Sequence, residues 1–180
     1  GPEPDVAVLF ATGPFAGAVE DIADAVRRLV RPRALVGTTA GSVLATGREV
    51  EHRAAVTLLA ARWDRSVGRG PDGPARAVAF DAHREGDGWR LTGTDEVAVA
   101  GATLVLLADP FSFPVEGFVD QLGRREPGLR VVGGMASAAT GPGGNRLVAD
   151  DRVVATGAVG LYLPPAIPAR VLVSQGCRPV

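Results

Sequence analysis

The sequence predicts an α/β protein with mixed parallel and antiparallel sheet or sheets, built on an internally duplicated β-α-β-β-β unit. Three observations carry this. Short runs of β-branched and aliphatic residues alternate with amphipathic stretches of helical period. Each half also holds strand-like runs with no helix between them, so parallel pairing is expected only at the helix crossovers. Finally, the order restarts near Thr103: "VAVLFAT", "ALVGTTAGS" and "PARAVAF" are answered by "TLVLLAD", "RVVGGMASA" and "PARVLVSQG". The pseudo-repeats span about 5–93 and 102–176 of one domain, 1–180.

In order along the chain, 6–12 reads as a buried strand closed by Gly13-Pro14. A helix is expected over 15–30, with Val19, Ile22, Ala23, Val26, Leu29 and Val30 on one face. Its acids lie early and its arginines late, as the helix dipole favours, and Pro32 stops it. A second strand follows at 34–37, then a polar connection, a strand within 53–63 and a loop over 64–74. A hairpin turning at "REGDG" joins 75–82 to 88–93. In the second half, strand 103–109 leads to a helix opened by Pro114, with Val115, Phe118, Val119 and Leu122 sharing a face. Strand "RVVGG", the turn "TGPGGN", a hairpin around Asp150-Asp151, strand "TGAVGLYL" and a last strand at 168–176 complete the order.

Composition narrows the function. At 180 residues, with 46% hydrophobic and 22% charged content, the chain buries about 70% of its unfolded surface without staples. All 19 cationic residues are arginine, which excludes Schiff-base chemistry, a Walker lysine and pyridoxal-phosphate attachment. The arginines alternate with acids, and two Trp, one Tyr and six Phe offer few stacking platforms, so nucleic acid is not an expected partner. A single cysteine and short apolar runs point to a cytoplasmic setting with no membrane contact. Neither a C-x-x-C, an H-x-x-x-H nor a calcium-loop spacing occurs, so neither a metal nor another cofactor is expected.

The candidate site starts from the two glycine-rich runs. In α/β sheets ligands bind beyond the carboxyl ends of parallel strands, where "GTTAGS" and "GGMASA" are expected to lie. Gly37, Gly133 and Gly134 allow close backbone approach, while Thr38, Thr39, Ser42 and Ser137 supply hydroxyls for a small polar ligand. The alternative is that these residues simply permit tight turns. Asp109 ends a strand where its carboxylate can meet a ligand's amino group, or can hold the turn "DPFS" together with Ser112. Asn145 closes the turn "TGPGGN". Cys177, beside Arg178, is a nucleophile, a ligand or interdomain contact, or packing. The two histidines, His52 and His83, lie in charged segments with no motif tying them to it, and the G-x-S-x-G elbow of serine hydrolases is absent.

"LLADPFSFP", "VVGGMASA", "GPGGNRL", "GAVGLYL" and "VSQGCRP" together resemble the N-terminal domain of the FIST family, F-box and intracellular signal transduction proteins, over nearly the whole chain. The resemblance implies an intracellular, bacterial sensory domain that binds a small molecule such as an amino acid without turning it over. It also implies a C-terminal FIST domain beyond residue 180 and signalling output domains as partners. The alternatives are a cysteine- or serine-dependent hydrolase-like enzyme and a non-catalytic interaction module.

Overall fold

Two β-α-β crossovers organise the molecule. The computed structural model describes residues 2–51, 53–64, 67, 73–97 and 99–172. The first crossover is β1 (Val6–Thr12), α1 (Val19–Leu29) and β2 (Ala34–Ala40). It is followed by a small hairpin, β3 (Ser42–Ala45) and β4 (Arg48–Glu51), by β5 (Val56–Ala61), and by a long hairpin, β6 (Arg76–Glu85) and β7 (Gly88–Thr92). The second crossover is β8 (Thr103–Ala108), α2 (Val115–Arg125) and β9 (Arg130–Met135). β10 (Leu147–Ala149), β11 (Arg152–Val154) and β12 (Ala158–Leu163) complete the elements among the described residues.

Two five-stranded sheets result, in the orders β11-β10-β2-β1-β5 and β7-β6-β12-β8-β9. Each is parallel only at its crossover, β1 with β2 and β8 with β9, and antiparallel elsewhere. In both halves an antiparallel strand returns beside the first strand of the crossover: β5 on β1, β12 on β8. The remaining hairpins are exchanged. β10 and β11 come from the second half yet extend the first sheet at β2, while β6 and β7 come from the first half and extend the second sheet at β12.

Side-chain alternation along β1 and β8 fixes the layers. On β1, Ala7, Leu9 and Ala11 face α1, packing with Val19, Ala23, Ile22 and Val26. Its other face, Val6, Val8 and Phe10, meets residues of the second sheet: Val105, Leu107, Val159 and Leu161. On β8, Leu104, Leu106 and Ala108 turn outward to Phe118 and Leu122 of α2, where Phe118 stacks edge-on against Phe80 at 4.8 Å and Phe113 at 5.1 Å. The order of layers is helix, sheet, sheet, helix.

Three expectations change. The helix expected over 15–30 begins as a 3-10 turn, Gly13–Ala18, with Pro14 in its first positions, and becomes α-helical at Val19. The polar connection after β2 is the hairpin β3–β4, turning at Gly47 with φ 70°; only Val43 of β3 is buried, so no apolar alternation marks it. Residues 168–172 form no strand, and 173–176 lie outside the described residues.

Candidate functional site

The glycine runs, expected just after their strands, begin inside them and only their second parts lie beyond. β2 continues through Ala40 and β9 through Met135. Gly37 and Gly133 occupy the same register position in their crossovers, opposite Leu9 and Leu106. A Cβ at Gly37 would stand 2.5 Å from the Leu9 carbonyl oxygen. One at Gly133 would stand 2.7 Å from the Leu106 carbonyl carbon and closer still to its oxygen, and the glycine has φ +148°. Both glycines therefore answer to backbone packing between parallel strands. Gly134 differs: it is exposed, and a Cβ there meets nothing within 4 Å.

The carboxyl ends of β1, β2, β8 and β9 gather at one end of the sandwich. The chain leaving β9 must cross from the second sheet to β10 in the first, and residues 136–146 make this crossing over those ends. Ala138 abuts Gly13 after β1, the Ser137 Oγ accepts the Gly41 amide at 3.0 Å after β2, and Asn145 reaches Asp109 after β8.

A buried hydrogen-bond network fastens the crossing segment. Asp109, Asn145 and Thr39 are wholly buried. Asn145 Nδ2 donates to Asp109 Oδ1 at 2.9 Å, and its Oδ1 accepts the Ala139 amide at 3.0 Å and the Thr39 hydroxyl at 3.4 Å. The other Asp109 oxygen accepts the Ser112 hydroxyl at 2.7 Å and the Phe111 amide at 3.2 Å, while Ser112 Oγ accepts the Gly157 amide at 2.9 Å. Thr39 Oγ1 accepts the Arg146 amide at 2.9 Å, and Thr38 Oγ1 donates to the Arg146 carbonyl at 3.2 Å. A buried carboxylate is tolerable because three neutral donors satisfy it.

Of the residues singled out in the sequence, the structure brings Thr38, Thr39, Asp109, Ser137 and Asn145 together across both halves. Asp109 holds its own turn with Ser112. Gly37, Thr38, Thr39, Asp109 and Asn145 are buried, whereas Ser42, Gly133, Gly134 and Ser137 are exposed. Cys177, Arg178 and His52 lie outside the described residues. His83 is exposed on β6, opposite Arg90 of β7.

Sequence reasoning missed Gly41, Arg146 and the upper part of the β6–β7 hairpin. Gly41 and Arg146 act through main-chain groups, which no side-chain motif signals. β6 runs parallel to β8, with Phe80 level with Ala108 across β12. Residues 81–92 of the hairpin therefore rise past the ends of the parallel strands and stand beside the site. Phe111 and Met135, each 42% exposed, lie at the same end of the second sheet.

Elsewhere, a concavity of about 270 Å³ is lined by Glu20, Asp21, Asp24 and Arg27 of α1 and by Asp150, Asp151 and Val153. Half-burial pushes the Asp150 carboxyl above the ordinary value near 3.8, against the lowering effect of the Leu35 amide that it accepts at 2.8 Å. Among the described residues no group of histidine, cysteine and carboxylate side chains is arranged to hold a metal ion, and no helix is long and apolar enough to cross a membrane.

The sequence pattern of the FIST N domain matches residues 5–180. An uncharacterized protein of Mycobacterium tuberculosis is 36% identical to the chain over all 180 residues, which cover 44% of that relative. An uncharacterized protein of Mycobacterium bovis is 32% identical with the same coverage. The chain thus spans less than half the length of the curated relatives it matches. No solved structure matches it.

Proposed function

The chain belongs to the FIST family, as an N domain in a family of sensory signal-transduction domains, and from that premise we propose that it binds a small polar metabolite at the carboxyl ends of its parallel strands. The observation that carries this reading is the crossing segment 136–146. Its own Asn145 and Arg146 bond to the buried Asp109 and Thr39, while its Ser137 and the neighbouring Gly134, Gly41 and Ser42 face solvent. The buried residues position the segment, and the exposed hydroxyls and main-chain groups contact the ligand. Amino acids and related metabolites fit a surface of hydroxyls, main-chain groups and a few apolar side chains such as Phe111 and Met135.

Binding occurs without turnover. The Ser112 hydroxyl is already engaged by Asp109 and Gly157, so no activated nucleophile is offered there. In a cytoplasmic, bacterial protein, binding energy differing between two states of this segment would pass to a C-terminal FIST domain and to output domains.

The test is thermal shift with a library of amino acids and related metabolites, on the parent and on Gly134→Val. Valine fits the open strand position without strain, so the unliganded variant melts at or above the parent. Its side chain adds bulk at the exposed end of β9, next to the start of the segment, so the parent's ligand shift is expected to disappear. A variant that keeps the shift, or a parent that no metabolite shifts, contradicts the proposal.

A further inference from the structure

Four strands end the two sheets: β11 and β5 in the first, β7 and β9 in the second. An unpaired edge invites another chain to pair with it, and proteins commonly blunt edges with charge. β11 carries Arg152, β7 carries Arg90 and β9 carries Arg130. β5, "VTLLAA", carries no charge, and its register with β1 is continuous from Ala61 to Val56, with no bulge to turn it away. No strand among the described residues pairs with its outer side.

The side chains agree. Val8, opposite Leu59 on β1, packs into the interior between the sheets, but Leu59 on the same face is 62% exposed. Val56 and Leu58 are exposed too, and Leu44 of the adjoining hairpin is 69% exposed.

We propose that β5 is the docking edge for a β-strand supplied by further sequence of the same polypeptide, so that the first sheet continues into a neighbouring module. Two findings select this occupant. The chain covers 44% of the relatives it matches, so more than half of their length lies outside the matched region. Moreover, Ile167 of the last described segment belongs to the same apolar cluster as Ala61 at the end of β5 and Trp63 just beyond it, and Val171 and Leu172, which follow Ile167, are exposed. A strand tethered there reaches the edge at high effective concentration. The ladder with β1, continued by the Thr12 amide bond to the Ala55 carbonyl, turns the backbones of Thr57 and Leu59 inward and those of Val56, Leu58 and Ala60 outward.

Amide hydrogen exchange at Val56, Leu58 and Ala60 tests this in the 180-residue chain and in its full-length polypeptide. Exchange is expected to slow at least about tenfold in the longer protein, independently of concentration. Leu59→Lys is expected to leave the melting temperature of the 180-residue chain unchanged and to remove the added protection in the full-length polypeptide. Equal exchange in both proteins overturns the proposal, as does a Leu59→Lys chain that melts well below its parent, which would make Leu59 internal packing. Protection that rises with concentration in the 180-residue chain, together with a sedimenting dimer, overturns it in favour of a second copy.

Discussion

Gly133 and Gly134 are chemically identical neighbours with opposite duties. At Gly133 the positive φ and the Leu106 carbonyl leave no room for a side chain. Gly133→Ala is therefore expected to cost about 3 kcal/mol, read as a lowered denaturation midpoint. Asn145 is the buried joint of the crossing segment, and Asn145→Ala strips one donor from Asp109 and leaves the Ala139 amide without its acceptor. A loss of about 3 kcal/mol is expected in denaturant unfolding. Asp150 carries the pH dependence. Its folded-state pKa lies above its unfolded value near 3.8, so the folded state holds the proton more tightly. The stabilisation this gives is present below 3.8 and is lost as pH rises through the folded-state value. Asp150→Asn can still accept the Leu35 amide and tolerates the left-handed backbone at φ 51°. It is expected to melt no lower than the parent at pH 7 and to lose the decline that the parent shows as pH rises above 3.8, in melting curves taken from acid to neutral pH.

At the scale of elements, α1 and α2 do the same work with different sequences. α1 contains no glycine, whereas α2 carries Gly117 and Gly123, both exposed and with nothing within 4 Å of a Cβ. Gly117→Ala and Gly123→Ala are each expected to stabilise the protein by about 0.5–1 kcal/mol, measured by thermal unfolding. What was legible in the sequence at this scale follows burial. β1, β8 and β12 are buried on both faces and read as unbroken apolar runs, and α1 and α2 show their period because one face meets a sheet. The β3–β4 hairpin buries little and was invisible as alternation. The end of β2 was placed too early because Gly37 looks like a strand terminator, when the close approach of Leu9 is what requires it, whereas β9, expected over "RVVGG", ends one residue later at Met135.

The whole molecule is held together by exchanged hairpins. The order strand, helix, strand in each half could be read from the chain; the strands that return beside β1 and β8 are β5 and β12, whereas the sequence pairs "PARAVAF" with 168–176, whose described residues form no strand. That β10–β11 would cross to the first sheet could not, because no local pattern records which distant edge a hairpin meets. The same crossing assembles the candidate site, so Thr39, Asp109 and Asn145 were recognisable one by one while their contact was not. Neither half retains a complete sheet alone. Residues 1–101 and 102–180 expressed separately are expected to lack cooperative unfolding, and their mixture to recover it in thermal melts followed by circular dichroism.

The central claim is that this end of the sandwich, where four strands finish, is the ligand site. Amide chemical-shift mapping on the 18.4 kDa chain tests it directly, using whichever amino acid or related metabolite raises its melting temperature. The account predicts that the perturbed amides cluster at Gly13, Phe15, 41–42 and 134–140. Perturbations centred instead on the acidic concavity of Glu20, Asp24 and Asp150, or scattered without a centre, would contradict it.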